Sequence, residues 1–406
     1  MELIGSDRIG AARDMLAPVI RRTPMIASRV LSEHIGADVR LKCENLQRTG
    51  SFKPRGAYFR IANLTPEERA HGVVAASAGN HAQGVAWAAT TLGIASTVFM
   101  PVGASLPKLV ATRAYGATVH QVGETVDEAL LAAQEFAEHS GATLIHPFDH
   151  PDIVAGQASV GSELLEQFPD VGTVLVPTGG GGLLAGIAAA LHPVAPQVRV
   201  IGVQAALAAA WPDSLRSGEP VALQRMSTIA DGIAVGQPGE VPFAHVIAHQ
   251  PTIVTVDENA LSGAVLLCLE RAKLVVEPAG AAAVAALLSL PAEDLRLRGP
   301  VCAIISGGNV DPILLTRIIG HGLSTGGRYL AVRITISDRP GSLSRLLDAV
   351  AGTGANVLDV VHARTPAALA IDEVEVLLTL ETRGPAHRDD VLDALGRAEY
   401  TVRVQD

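Results

Sequence analysis

The segment "TVLVPTGGGGLLAGIAAAL", residues 173–191, sets four consecutive glycines between an apolar run and an alanine-rich run. The run 173–177 has the length and composition of a buried strand, and the run 186–191 that of a helix. Glycines between a buried strand and a helix form a nest of backbone N–H groups that can hold a phosphate. The segment lacks the Lys-Ser/Thr of a Walker loop and is not GxGxxG, so ATP and NAD are poorly supported ligands.

The same alternation of short apolar runs and alanine-rich stretches recurs along most of the chain. Further strand candidates are "VVAA" from Val73, "STVFM" from Ser96, "RVIGV" from Arg199 and "VCAIIS" from Val301. Apolar strands that alternate with helices indicate parallel sheets covered on both faces. The sequence therefore predicts an α/β body.

Near residue 320 the pattern changes. The polar, glycine-rich segment "HGLSTGGR", 321–328, predicts a linker. Beyond it we predict strands at 330–337 and 356–363, in "DEVEVLLTLET" and in "YTVRVQ", with helices at 342–351 and in "AHRDDVLDALGRA". The order βαββαβ is that of a ferredoxin-like module.

Composition excludes several classes of function. The chain has 406 residues, 48% of them hydrophobic and 18% charged, which is typical of a multidomain globular enzyme. A net charge of −10 argues against nucleic acid as a partner. The longest apolar stretch, Gly280–Leu290, is too short to cross a membrane, and the first residues do not resemble a signal peptide, so we expect a cytoplasmic protein. Cys43, Cys268 and Cys302 are far apart, which predicts neither a disulfide framework nor a metal site.

One lysine stands in a constrained setting. In "SFKPRGA", residues 51–57, Lys53 lies between Phe52 and Pro54. The proline biases Lys53 away from α geometry. A lysine held and desolvated at a strand-to-helix corner suits Schiff-base chemistry. The alternative from the residues alone is an ordinary surface lysine in a loop.

A second loop has the features of an anion site. "ASAGNHAQGVAWAA", residues 76–89, follows an apolar strand and opens a helix whose first N–H groups suit a carboxylate. The alternative is ordinary helix capping by Ser77 or Asn80. A phosphate held without metal, a carboxylate site and a special lysine together indicate pyridoxal phosphate chemistry on an amino acid.

Six motifs in one order carry a resemblance to a known family: "SFKPRGA", "SAGNHAQGVA", "HPFDHPDIVAGQ", "PTGGGGLLAG", "EPAGAAAVAA" and "SGGNVD". From Ile4 to about Gly320 the chain resembles the fold-type II (tryptophan synthase β-like) pyridoxal phosphate enzymes, and among them the threonine/serine dehydratases. The tail, with "DRPGSLSRLLDAVAGTGANV", resembles an ACT domain, an amino-acid-sensing module. The resemblance implies a body of residues 1–320, with a smaller subdomain at about 46–149 inserted in a larger one, a linker at 321–328 and an ACT domain at 329–406.

The resemblance also implies an activity and its residues. The reaction would be β-elimination of L-threonine to 2-oxobutanoate and ammonia, and of L-serine to pyruvate. Lys53 would form the Schiff base and act as the base at Cα. The implied cofactor-binding residues are Phe52, Lys53, Asn80, Gly179, Gly180, Gly181, Gly182, Leu183 and Ser306. The implied substrate-binding residues are Ser77, Ala78, Gly79 and His81.

For the tail, the resemblance implies that isoleucine or valine binds as an effector at Gly341, Ser342, Leu343 and Asn356. Such modules pair between subunits, so we expect a homodimer or homotetramer.

Three other functions stay open at this point. Serine racemases resemble this body but carry serine where Ala78 stands, and an acidic metal site where this chain reads "QAALAAAW" around Gln204. A catalytically degenerate amino-acid sensor would be free to lose Lys53, Asn80 and Ser306, all of which are present. A β-replacement enzyme of the cysteine-synthase type would normally lack an ACT domain.

Overall fold

The computed structural model describes residues 3–364 and 370–405. The chain forms two compact units, Met1–Leu315 and Thr316–Asp406. Within the described residues, no helix is long and apolar enough to span a membrane.

The first unit is built on two sheets. Its strands are β1 Met25–Ala27, β2 Val39–Cys43, β3 Val73–Ala76, β4 Ser96–Met100, β5 Thr118–Gln121, β6 Thr143–Leu144, β7 Thr173–Pro177, β8 Arg199–Ala205, β9 Thr252–Val256 and β10 Val301–Ile305. One sheet has the order β1-β2-β10-β7-β8-β9 and is parallel except for β1. The other, β5-β4-β3-β6, is parallel throughout. The strands predicted from the sequence are confirmed, and the parallel α/β architecture with them.

Helices connect these strands. They are α1 Ser6–Leu16, α2 Arg29–Ile35, α3 Lys53–Ala62, α4 Pro66–His71, α5 Asn80–Thr91, α6 Leu106–Ala114, α7 Val126–Ser140, α8 Pro151–Gln167, α9 Gly182–Leu191, α10 Trp211–Ser217, α11 Glu240–His249, α12 Glu258–Leu267, α13 Pro278–Ser289 and α14 Ala292–Leu295. A further helix, α15 Pro312–Thr325, follows β10 and contains the boundary between the two units. Strands β7 and β10 are buried along their whole length, as are nearly all residues of α9 and α13. These apolar elements form the core that supports the loops at the carboxyl ends of the strands.

An ion network buried in this unit anchors the lysine-bearing helix α3. The Arg55 guanidinium donates from Nε and Nη2 to the Glu44 carboxylate at 2.8 and 2.7 Å, and from Nη2 to Glu163 at 2.9 Å. The side chains of Arg55 and Glu44 have no exposed surface. Burial alone would raise the pKa of Glu44, but the Arg55 guanidinium outweighs burial and holds that pKa below its usual range.

The second unit is the predicted βαββαβ module. Its elements are β11 Tyr329–Ser337, α16 Ser342–Ala351, β12 Asn356–Ala363, β13 Glu373–Glu381, α17 Pro385–Arg397 and β14 Val402–Gln405. The antiparallel sheet has the order β12-β13-β11-β14, which is the ferredoxin-like order. Alternate residues of β11 and β13 point into one apolar core with α16 and α17.

The linker predicted at 321–328 is largely wrong. Helix α15 continues to Thr325, so residues 321–325 are helical. The apolar spacing before them carries the helix through two glycines, and Ile318 and Gly322 are buried. Gly322, one of the glycines that suggested a flexible segment, is instead a buried residue of this helix.

The buried network generates a stability prediction. Replacing Glu44 with alanine leaves the Arg55 charge without its principal partner, and we expect the free energy of unfolding to fall by about 3–5 kcal/mol. Urea unfolding followed by tryptophan fluorescence measures the effect. As a control, Glu33→Ala breaks the exposed Arg29–Glu33 pair and should cause no measurable change. Equal midpoints for the two variants would show that the network does not stabilise the fold.

Candidate active site

The lysine singled out in the sequence lies at the beginning of a helix. Phe52 has helical dihedral angles and α3 starts at Lys53, so the expectation that Pro54 keeps the lysine out of α geometry is wrong. A proline in the first turn lacks only a donor that has no helical partner, so the helix tolerates it. The ammonium of Lys53 donates to the Pro147 carbonyl at 3.0 Å and lies 5.2 Å from the centre of the Phe52 ring.

Backbone contacts fix the segment before Lys53 against the end of β10. The Phe52 N–H donates to the Ser306 carbonyl at 3.1 Å, and the Gly308 N–H donates to the Gly50 carbonyl at 2.9 Å. Ser51 pairs with Gly307 in an isolated antiparallel bridge. The lysine and Ser306, 253 positions apart in the numbering, are thereby held at one place.

One cavity collects every residue predicted to bind the cofactor. Its lining includes Phe52, Lys53, Asn80, Gly179, Gly180, Gly181, Gly182, Leu183 and Ser306. It also includes residues to which the sequence analysis assigned no role, among them Pro147, Phe148, Gln157, Thr178, Gly232, Ile233, Val235, Glu277 and Ala279. Pro177 at the carboxyl end of β7 and Ser306 directly after β10 line it, as expected of a ligand site in a parallel sheet.

The glycine loop has no room for side chains. A Cβ on Gly180 would lie 2.4 Å from the Phe148 ring, and one on Gly181 would lie 2.3 Å from the Trp211 ring. Gly181 also has a φ of +97°, which favours glycine.

The carbonyls of this loop are turned into the protein. The Gly179 carbonyl accepts from the Trp211 indole N–H at 2.7 Å, and the Gly181 carbonyl from the Ala185 N–H at 2.8 Å. The first N–H groups of α9 have no partner within the helix and remain for a ligand. The loop therefore fits an anionic group such as a phosphate.

The residues predicted to bind the substrate carboxylate lie beside this cavity and do not line it. Ala78 lines a neighbouring cavity together with Lys108 and Asp231, whose side chains form an ion pair. The Ser77 hydroxyl accepts from the Gly79 N–H at 3.1 Å.

His81 is engaged in the interior. Its Nε2 lies 2.7 Å from the Ile145 carbonyl, and burial, together with the Lys53 charge, lowers its pKa to about 3. His81 is therefore neutral and hydrogen-bonded within the protein, and it is not a free cation for a carboxylate.

Glu277 is the main functional candidate to which the sequence analysis assigned no role. Its Oε1 accepts from the Asn80 amide nitrogen at 2.6 Å. Burial, and then the charge of Asp231, raises the pKa of Glu277 to about 7, and burial lowers that of Lys53 to about 8 against the opposing charge of Glu277. One sequence signal could have identified Glu277. It is a carboxylate directly before the apolar helix "PAGAAAVAALLS", where a charged side chain is buried and needs a polar partner.

The residues present fit pyridoxal phosphate. The cavity joins a lysine of lowered pKa, a cradle of backbone N–H groups and polar side chains at Asn80 and Ser306. Among residues 3–364 and 370–405, no cluster of three His, Cys, Asp or Glu side chains could hold a metal ion.

Known proteins are similar to this chain in sequence and in fold. Residues 16–307 match the family profile described as "Pyridoxal-phosphate dependent enzyme". The L-threonine ammonia-lyase of Thermotoga maritima is 44% identical over 403 residues, which cover 99% of this chain and all of that protein.

Two solved structures are similar to most of this chain. A threonine deaminase from T.th. has a TM-score of 0.71 and 40% identity, covering 76% of this chain and 99% of that one. Maize serine racemase has a TM-score of 0.74 and 32% identity, covering 80% of this chain and 99% of that one. Backbone similarity thus does not separate the two activities.

The raised pKa of Glu277 predicts a pH-dependent effect of Glu277→Gln. Between pH 4.5 and about 7 the carboxyl ionises readily in the unfolded chain but not in the folded one, so wild-type stability falls as pH rises through this window. Glutamine does not titrate. We expect the free energy of unfolding of the variant to rise, relative to that of wild type, by up to about 3 kcal/mol across this pH window. The reason is that each tenfold change in proton affinity corresponds to about 1.4 kcal/mol.

Unfolding of the cofactor-free proteins at a series of pH values measures this difference. Glu33→Gln, which changes an exposed carboxylate, serves as the control. A difference between wild type and Glu277→Gln that stays constant with pH would contradict the prediction.

Proposed function

The chain belongs to the family of pyridoxal-phosphate dependent enzymes, and from that premise we propose that it converts L-threonine to 2-oxobutanoate and ammonia, with L-serine as a second substrate. The observation that carries this proposal is the 44% identity to an L-threonine ammonia-lyase across the full length of both chains. A cavity that joins Lys53 to the glycine loop supports it.

The cofactor, when bound, supplies an aldehyde for an amine and an electron sink for the bond broken at Cα. The residues that would hold it are those of the cavity. The glycine loop would bind the phosphate through N–H groups, Asn80 would face the ring oxygen, and Lys53 would form the covalent link. Ser306 would meet the pyridine nitrogen with a neutral hydroxyl, which supports a protonated ring less than a carboxylate does.

The chemistry assigned to Lys53 requires a neutral amine. With a pKa lowered to about 8, a useful fraction of Lys53 is neutral near neutral pH. The Pro147 carbonyl holds Nζ in place. When the substrate amine takes the place of Lys53, the freed amine would remove the proton from Cα, and the β-hydroxyl would take up a proton and leave as water. Lys53 would then return to the cofactor and release the substrate with its nitrogen, and water would hydrolyse the remaining carbon–nitrogen bond to the oxoacid and ammonia.

Ala78 favours elimination over racemisation. A racemase needs a second acid/base group on the face opposite the lysine, and alanine carries no group that transfers a proton. Lys108 and Asp231, which line the neighbouring cavity with Ala78, are paired with each other. The presence of Lys53, Asn80 and Ser306 in one cavity also argues against a catalytically degenerate sensor.

The proposal predicts that Lys53 is indispensable. Lys53→Ala removes the only group proposed to link the cofactor and take the α-proton, so we expect threonine turnover to fall by about 10³-fold or more. The absorption of the lysine-linked cofactor should disappear as well. Lys53→Arg should fail equally, because a guanidinium is not a nucleophile here.

Oxoacid formation from threonine and the visible spectrum of the purified enzyme measure these effects. Lys273→Ala alters an exposed lysine and should leave both unchanged. Turnover retained without Lys53 would refute the assigned mechanism.

We also propose that the second unit is an ACT domain that binds isoleucine or valine and pairs between subunits. Strand β12 is an edge of its sheet and exposes Leu358 and Val361, which supports pairing with a second copy. The proposed assembly is a homodimer or homotetramer.

The proposed effector residues lie at two ends of one module. Asn356 pairs with Glu381, which pairs with Tyr329, whereas Gly341 follows Ser337 at the opposite end. The separation is roughly 25 Å along eight strand residues. Antiparallel pairing of two β12 edges would bring the start of one strand to the end of the other, so a site that uses Asn356 and the 341–343 turn requires two subunits.

This proposal predicts a regulatory variant. Isoleucine or valine should shift the threonine saturation curve of the full-length enzyme by about fivefold or more, the usual scale of allosteric coupling. Asn356→Ala should remove the shift and keep the basal rate, whereas Arg403→Ala on the opposite edge strand should retain both. If neither amino acid moves the wild-type curve or binds in calorimetry, the module does not sense them.

A further inference from the structure

We propose that Glu277 and Asn309 are positioning residues that hold the Asn80 amide with an N–H group toward the ring oxygen of the cofactor. Both lie within motifs of the sequence, but the motifs assigned neither of them a role. The inference rests on the proposed function, because the ring oxygen belongs to pyridoxal phosphate.

A backbone carbonyl sets the orientation of the first amide. The Thr49 oxygen can only accept a hydrogen bond, and the side-chain nitrogen of Asn309 lies 2.6 Å from it. The polarity of the Asn309 amide is therefore determined: its NH₂ faces Thr49. Its oxygen is confined on the other side, since a Cβ on Gly50 would lie only 2.5 Å from it.

The second N–H of Asn309 fixes Asn80. The Asn309 nitrogen lies 2.7 Å from the Asn80 side-chain oxygen, and the Asn80 nitrogen lies 2.6 Å from Glu277 Oε1. Rotating the Asn80 amide by half a turn would set its nitrogen against the Asn309 nitrogen and its oxygen against the carboxyl oxygen. The contact with Asn309 would be lost in either protonation state of Glu277, and the contact with an ionised Glu277 would be lost as well, so one orientation is favoured.

Glu277 cannot move aside to relax this arrangement. The residue is 3% exposed, and a Cβ on Gly307 would lie 2.2 Å from its Oε1. The carboxyl fills a space that exists because position 307 has no side chain. Asp231 and Lys108, which line the neighbouring cavity with Glu277 and Asn309, are already paired with each other.

One donor of Asn80 remains after these contacts are counted. An amide nitrogen carries two hydrogens, and Glu277 takes one of them. Because Asn80 lines the cofactor cavity, the other N–H is available to the ligand. A donor at the ring oxygen favours its ionised form. These contacts would therefore raise the fraction of bound cofactor whose ring oxygen is ionised.

The test uses the holoenzyme and its absorption spectrum. The cofactor absorbs in the visible when its ring oxygen is ionised and in the near ultraviolet when that oxygen is protonated. Asn309→Ala frees the Asn80 amide, and we expect the ratio of visible to near-ultraviolet absorption at neutral pH to fall about fivefold, the factor that one ordinary hydrogen bond contributes. Asn309→Ser, with a hydroxyl too short to bridge Thr49 and Asn80, should fall likewise.

Variants at Glu277 test whether the hydrogen-bond acceptor itself is needed. Glu277→Gln keeps an oxygen that can accept from Asn80 and should preserve the ratio, whereas Glu277→Leu removes the acceptor and should lower it. Asn45→Ala is the matched control, because Asn45 is also a buried amide that donates to a backbone carbonyl, that of Val275, at 3.1 Å. We expect it to leave the ratio unchanged.

The outcomes distinguish this inference from its premise. A wild-type enzyme that shows no lysine-linked cofactor would refute the proposed function. A wild-type enzyme with a normal spectrum, together with an unchanged ratio in Asn309→Ala, Asn309→Ser and Glu277→Leu, would overturn the positioning role alone. A ratio that falls equally in Asn45→Ala would also overturn it, because the effect would then be one of general packing.

Discussion

The guanidinium of Arg55 has no exposed surface, and it joins the helix that carries Lys53 to the rest of the first unit. It bonds to Glu44, just beyond β2, and to Glu163 and Ser159 on α8. A buried charge is tolerated only when such partners satisfy it, so the three elements must meet in one arrangement. The position of Lys53, two residues away, follows from that requirement.

Close contacts between backbones also fix α8 against its two neighbouring helices. A Cβ on Gly156 of α8 would lie 2.6 Å from the Arg55 carbonyl, and a Cβ on Gly186 of α9 would lie 2.7 Å from the Val154 carbonyl. Helix α8 is therefore pressed against α3 on one side and α9 on the other. Since α3 begins with the lysine and α9 begins at the glycine loop, the packing of α8 sets the spacing between the two parts of the cofactor site.

The electrostatics of the cavity follow from the burial of its two charged side chains. Burial moves the pKa values of Lys53 and Glu277 toward each other, to about 8 and about 7, while each charge partly counteracts the shift of the other. Opposing shifts of this kind place an amine and a carboxyl near the pH at which proton transfer is efficient. The amide of Asn80 lies next to the carboxyl and lines the same cavity as the amine, which connects cofactor binding to the same electrostatic balance.

The sequence by itself determined the parallel α/β body, the βαββαβ module, Lys53 and the glycine loop, because period, strand length and glycine runs are local signals that tertiary packing preserved. Local signals failed at 321–325, where buried packing extended a helix through glycine, and at Pro54, which the first turn of α3 accommodates. They also could not place His81, which the fold turns to the Ile145 carbonyl. Only the tertiary structure brought Glu277 and Asn309 to Asn80, and Thr49 to Asn309, since amide polarity depends on partners up to 260 positions away. A carboxyl acquires its role from burial and from the donors around it, and neither is written in the residues on either side of it.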